Sequence, residues 1–439
     1  MIPITISQLI NNLFNMVDNI MVGSLDINGL AISAVNIANK PYLIFFGLFF
    51  GMTGGAGLMI SQYYGANDHK TCQGLFTLQL FIGTSIAMIF FFMLRFFPEP
   101  IMNIFATDES TISLGVEYMQ IAAFSYLPVA ISSTCIFSLR SLGINRISMI
   151  VSIFTMGINA IFNYLLIFGN FGFPEMGIAG AALGTLIARI CEMLFYLYVL
   201  ASKKTLFVLD LSAAFKLPRK ITIDFLKRAL PLIFNELLWT IGNSVYFWCY
   251  AKINEYALPA ITIADLCYQI SAVLATGVSS AVSVMIGKEL GANRLEEAKQ
   301  NAKRLFLLAL AIGFVCLFIC LVLAHILPLF FTVSGSLLVL STELSIISAL
   351  FAPISIIYGF CFFCLRAGGD TRNAMMLDSG YMWLVPVPIS ITIATLFPSY
   401  FSIYWIFVTV QILMNAKVFW AIWVLKKGTW IRNITGIKT

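Results

Sequence analysis

The sequence predicts an all-α integral membrane protein, with twelve transmembrane helices in two six-helix lobes related by a parallel internal repeat. Three observations carry this. The chain is 60% hydrophobic and only 10% charged over 439 residues, with a mean hydropathy of +0.93, whereas a soluble chain carries about a quarter charged residues. Apolar runs of about twenty residues, the length that crosses a bilayer as a helix, recur from end to end. The sequence also repeats itself. "MISQYYGAN" begins at Met59 and "MIGKELGAN" at Met285, while "LRSLGINRISM" begins at Leu139 and "LRAGGDTRNAM" at Leu365, both pairs offset by 226 positions.

Turn signals divide the apolar runs into spans near 2–22, 36–60, 74–97, 114–138, 147–169 and 176–200, then 225–250, 257–286, 302–327, 340–365, 373–397 and 401–425. Six spans per half is an even number, so both halves enter the membrane in the same direction. The halves are a lobe over 1–202 and a lobe over 225–439. The basic, Pro-containing stretch 203–224, including "KKTLFVLDLSAAFKLPRK", reads as a cytoplasmic linker.

The loops set the orientation. All but five of the 26 Lys and Arg (Lys40, Arg95, Arg189, Lys252 and Lys417) follow even-numbered spans. Basic residues mark cytoplasmic loops, so both termini are expected in the cytoplasm and the chain in the plasma membrane. The net charge of +6 is explained by those loops and calls for no nucleic-acid partner. The first apolar run lacks a basic leader and a cleavage site, so it is expected to be retained as a span.

Two parallel bundles suggest a secondary transporter with a pathway between the halves. No GxxxxGK[ST] loop occurs, so an ion gradient is the expected energy source. Cys361 and Cys364 form a CxxC inside an apolar run, where cysteine serves as a small hydrophobe, and two histidines argue against a His-rich metal site. No cofactor is expected. A membrane enzyme would need a nucleophile–base pair or a metal motif, and none is apparent.

"LINNLFNMVDNIMVG", residues 9–23, is polar where lipid is expected. Gln8, Asn11, Asn15 and Asp18 are spaced three or four apart, on one helical stripe. A carboxylate at membrane depth costs about 2.5–3.5 kcal/mol on insertion scales and therefore faces a cavity or a partner. Asp18 is thus a candidate proton or cation site, against the simpler role of a hydrogen-bonding group between helices. Asn159 and Asn163 share one face of the fifth span, and Thr185 lies among small residues of the sixth. Amides and a hydroxyl around one carboxylate supply oxygen ligands for Na⁺ or partners for a protonated acid.

In the second half, Glu236, Asp265 and Asp378 are the ionisable residues expected as further ion or substrate contacts. Asp378 follows Arg372 closely enough to pair with it, and Lys252 or Lys417 could pair with Asp265. Arg189 and Glu192 are spaced as a local salt bridge.

The pieces "IPITISQLINNLFNMVDNIMVG", "GGAGLMISQYYGAND", "LIFGNFGFPEMGIAGAALGT", "GKELGANRLEEAK" and "LRAGGDTRNAM" together resemble the multidrug and toxic compound extrusion (MATE) family over nearly the whole chain. The resemblance implies two six-helix lobes and efflux of organic, often cationic, compounds in exchange for Na⁺ or H⁺. Asp18 matches the family's first-helix acid, Pro3 a proline where that helix can bend, Asn159 a fifth-helix Asn, Thr185 a small polar position of helix six, and Glu236 a seventh-helix Glu. Asn163 stands where some members carry a second Asp, which weakens a two-carboxylate proton relay. Many members have a short segment before the first helix, whereas this chain begins almost at Pro3. A monomeric exporter of a small organic substrate is expected. The alternative is a flippase of lipid-linked precursors from the same broad superfamily. That alternative needs several basic residues in the cavity, and only Arg189 and Lys417 are evident intramembrane candidates.

Overall fold

The computed structural model describes residues 2–25, 30–202, 205–330, 335–398 and 400–436, without the side chains of 2, 11–17, 19, 20, 211, 270–272 and 330. Asn11 and Asn15 of the expected stripe therefore lie outside the described side chains, and Lys203 and Lys204 outside the described residues. Every regular element among the described residues is helical.

In chain order the first half has α1 (Ile2–Gly23), α2 (Leu30–Ala38), α3 (Lys40–Gly65), α4 (His69–Phe96), α5 (Pro98–Phe105), α6 (Glu109–Ala122), α7 (Tyr126–Ser141), α8 (Arg146–Phe168) and α9 (Gly177–Ala201). The second has α10 (Arg219–Ile253), α11 (Leu258–Gly291), α12 (Leu295–Ile326), α13 (Ser336–Ala367), α14 (Thr371–Met375), α15 (Tyr381–Leu384), α16 (Pro386–Leu396) and α17 (Ile403–Lys426). Each expected span falls on helix. Among the described residues, ten helical stretches are long and apolar enough to cross a membrane; α1 and α10, which carry more polar residues, are not among them.

Local chemistry sets the helix ends. Asp108 caps α6 by accepting from Thr111 N at 2.8 Å. α8 stops at Gly169, whose left-handed φ of +67° is open to glycine without a Cβ clash. Large apolar side chains such as Phe154, Ile161, Trp405 and Phe419 point outward, as expected where lipid is the solvent.

The chain forms two compact units. The first comprises 2–60 and 69–223. In it α8 packs against both α1 and α9, and α7 against α4 and α9. Tyr42, Phe45, Phe90 and Tyr126 form an aromatic cluster, with Phe45 and Tyr126 centroids 4.9 Å apart. The stretch after α9 folds onto α4: Gln73 Nε2 donates to Val208 O at 2.6 Å and Phe207 stacks on Phe76.

The second unit comprises 224–439 together with 61–68, the end of α3 and the turn after it. α13 packs against α11, α12 and α17. Inside this unit the two copies of the repeated "GAN" motif meet through glycine. A Cβ on Gly65 would lie 2.1 Å from the Lys288 carbonyl oxygen, and one on Gly291 would lie 1.9 Å from the Gln62 carbonyl oxygen. The Gln62 side chain donates to Ala367 O at 2.7 Å and accepts from Ile434 N at 2.9 Å, which ties the C-terminal stretch to the same place.

Candidate functional site

In the first unit α1, α8 and α9 bring Asp18, Asn159, Asn163 and Thr185 together. Both Asn side chains are buried because α8 turns that face inward and presents Ile153, Phe154 and Ile161 outward. Asn163 Nδ2 donates to Asp18 Oδ1 and, at 3.3 Å, to Asn159 Oδ1. Asn159 Nδ2 donates to Thr185 Oγ1 at 3.3 Å. Gly184 permits this close packing: a Cβ there would meet Asn163 Oδ1 at 2.2 Å. That Oδ1 is buried and, among the described residues, accepts no hydrogen bond. A buried acceptor without a donor is rare and calls for an explanation such as an ion. The atoms gathered here are carboxylate, amide and hydroxyl oxygens, a donor set suited to a hard cation or to a shared proton.

The second unit holds a charged cluster of different design. Lys417 Nζ donates to Asp378 Oδ1 at 2.7 Å, and Tyr358 Oη donates to the same atom at 2.8 Å. Asn235 Nδ2 donates to Asp378 Oδ2 at 3.1 Å, while Asn235 Oδ1 accepts from Ser379 Oγ at 2.9 Å. The Lys417 ammonium also lies 4.0 Å from the Tyr358 ring centroid. Beside it Arg366 is 3.9 Å from Glu236 and sits over the Phe362 and Phe363 rings. Both acids therefore already have a basic partner.

The family model for MatE matches residues 3–165 and 231–392, most of both halves. The chain belongs to the MatE family, whose members are transporters. It is 25% identical over 301 residues to a probable multidrug resistance protein NorM of Streptococcus pneumoniae, an alignment that covers 68% of the chain and 65% of that relative. It is 24% identical over 383 residues to the multidrug export protein MepA of Staphylococcus haemolyticus, covering 86% of the chain and 82% of that protein. A crystal structure of MATE in complex with MaL6 superposes with a TM-score of 0.85 at 18% identity, covering 98% of the chain and 94% of that structure. An outward-facing multidrug resistance MATE family transporter of the MOP superfamily also gives 0.85, at 17% identity over 97% and 94%. These two show the shared fold.

Within this MatE chain the expected residues fare differently. Asp18, Asn159, Asn163 and Thr185 do come together. Arg189 and Glu192 form the expected salt bridge, at 3.0 Å. Asp378 pairs with Lys417 rather than Arg372, because α17 places a buried ammonium against the turn that carries Asp378. Lys417 is thereby committed, and Asp265, exposed on α11, makes no ion pair among the described residues. Arg366, expected at a loop, is instead buried at 5% exposure. Asn235, Tyr358 and Ser379 join this cluster although no motif in the sequence singles them out. Asn235 precedes an intramembrane acid in an apolar run, the one local signal that could have flagged it.

Proposed function

We propose that this MatE protein is a secondary active exporter that extrudes organic, cationic or amphiphilic compounds in exchange for Na⁺ or H⁺ by alternating access. The observation that carries it is the Asp18 site, with oxygens from three helices and an Asn163 acceptor that no donor among the described residues satisfies. The names of the relatives, which concern multidrug resistance and export, support small organic substrates.

The physics of coupling is a difference in affinity. A Na⁺ or proton at Asp18 favours the arrangement of α1, α8 and α9 that closes the oxygens around it. A substrate that binds another arrangement better then competes through the conformational equilibrium, even without touching the same atoms. The chain would act as a monomer in the plasma membrane; the distribution of Lys and Arg supports an orientation with both termini cytoplasmic.

The flippase alternative needs uncommitted cations to hold phosphate. Among the described residues of the second unit the buried cations are Lys417 and Arg366, and each is paired with an acid, Asp378 and Glu236. Their pairing favours the exporter.

The test is efflux of a fluorescent organic cation from proteoliposomes, with Na⁺ and pH gradients imposed separately. Wild-type protein is expected to respond to one gradient, and Asp18→Asn to lose that response while remaining inserted and monodisperse. Efflux unchanged by Asp18→Asn would sink the assignment.

A further inference from the structure

Polar groups do not stop at the Asp18 site. They continue inside the first unit toward the end at which α1 begins. On α8, Asn163, Asn159, Thr155, Ser152 and Ser148 recur every three or four residues, and all five are buried. On α9, Thr185, Arg189, Glu192 and Tyr196 follow the same spacing. On α1, Ser7 is fully buried one polar stripe below Asp18, about 16 Å along the helix axis. α8 lies against both α1 and α9, so the stripes run side by side.

Hydrogen bonds and electrostatic proximity link them into a column. Arg189 is within electrostatic reach of both Asp18 and Glu192, and donates to Glu192 at 3.0 Å. Ser132 Oγ on α7 reaches the same carboxylate at 3.4 Å. Tyr196 is within electrostatic reach of Glu192 and Arg140. Arg140 donates to Ser7 Oγ at 3.2 Å, and Ser7 pairs with Ser152 at 2.9 Å.

Several atoms of the column are buried without a partner among the described residues: Asn163 Oδ1 at the top, then Ser148 Oγ, Tyr196 Oη and Arg140 Nε below. Tyr196 and Ser148 are neighbours, yet neither hydroxyl completes a hydrogen bond of normal geometry. Four such groups in one file, three of them on fully buried residues, are not explained by packing. Buried groups of this kind are satisfied by water.

We infer that a hydrated path for the coupling ion runs within the first unit from the Asp18 site to the end where α1 begins, and that the Arg189–Glu192 pair is its gate. Hydroxyls that both donate and accept suit a relay of water and protons along this path. The gate works because Arg189, salt-bridged to Glu192, also feels the charge of Asp18. Paired with Glu192, it leaves Asp18 free to take the ion. Turned to Asp18, it replaces the ion there and favours release along the column. This rests on Asp18 being the coupling site.

The test begins with hydroxyl-radical footprinting of the wild-type transporter. Tyr196 and Tyr126 belong to the same unit and are both buried, but Tyr126 sits in the aromatic cluster. Tyr196 is expected to be modified several times faster than Tyr126; equal rates overturn the path. A second arm follows gradient-driven efflux under Na⁺ and pH gradients in turn. Thr155→Val, which keeps shape and removes a hydroxyl from the column, is expected to lower kcat with the substrate KM unchanged. Glu192→Gln releases Arg189 toward Asp18 and is expected to raise the ion concentration for half-maximal efflux by about fivefold or more. If both variants behave as wild type, the column carries water but not the ion, and the inference fails. If Asp18→Asn abolishes coupling while Tyr196 is no more reactive than Tyr126, the exporter assignment stands and the path alone falls. If Asp18→Asn leaves coupling intact, both fall, whatever Tyr196 shows.

Discussion

Asp378 and Lys417 show what a buried charge demands of its neighbours. The carboxylate has its ammonium, a phenol and an amide, so both of its oxygens accept. Removing one member strands the other, at a cost of about 3–5 kcal/mol for a buried pair. Lys417→Met is therefore expected to lower the thermal midpoint of the detergent-solubilised protein, read by intrinsic fluorescence. Lys417→Met with Asp378→Asn should recover much of the loss, because the stranded charge is gone. A double variant as unstable as the single would refute the pairing as the cause. This pair was not legible in the sequence, whereas the Asp18 group was. Asn159 and Asn163 share a face by local spacing, which periodicity reveals. Lys417 meets Asp378 across 39 positions, and no periodicity links them. Arg366 misled for a related reason. Its place beside a glycine-containing turn reads as a loop, but Phe362 and Phe363 form its walls one helical turn back.

At the scale of elements, the helices themselves were legible because lipid imposes one requirement on every span: backbone groups must be satisfied internally over about twenty residues. What escaped was irregularity within a rod. The expected span 373–397 is broken into α14, a π-helical turn at Met376–Gly380, α15 and α16. The wider turn lets Asp378 and Ser379, adjacent in sequence, both face Asn235. Nothing in the run "MMLDSGYMW" announces it. Helix ends outside the membrane obey ordinary chemistry. The Thr111 amide and hydroxyl hold the Asp108 carboxyl below its usual value of 3.8. A lowered folded-state value means that the cap contributes fully above the unfolded value and is lost as the pH falls through the folded one. Amide exchange at the start of α6, relative to Asp108→Asn, is thus expected to match near pH 7 and to accelerate in the wild type alone in strong acid. Equal exchange ratios at both pH values would count against the cap.

At the scale of the whole chain, the division into units does not follow the repeat boundary, since residues 61–68 belong with the second unit. Their position depends on two glycines in contact with backbone oxygens. Gly65→Ala or Gly291→Ala forces a methyl into that contact and is expected to cost about 1–3 kcal/mol, the usual penalty for overpacking. Limited proteolysis of the 61–68 segment, faster in either variant than in the wild type, would report it. Unchanged protection would mean that the backbone yields at no cost.

The glycine contact also carries a consequence for the repeat. Gly65 touches the backbone at 288 and Gly291 touches the backbone at 62. At the repeat offset of 226 positions, 62 corresponds to 288 and 65 to 291. Each copy thus offers the same two residues to the other, as the subunits of a twofold homodimer do. Such reciprocity is the contact that two copies of one sequence would make, held here within one polypeptide. Elsewhere the copies differ: one presents a carboxylate among amides and the other a set of closed ion pairs.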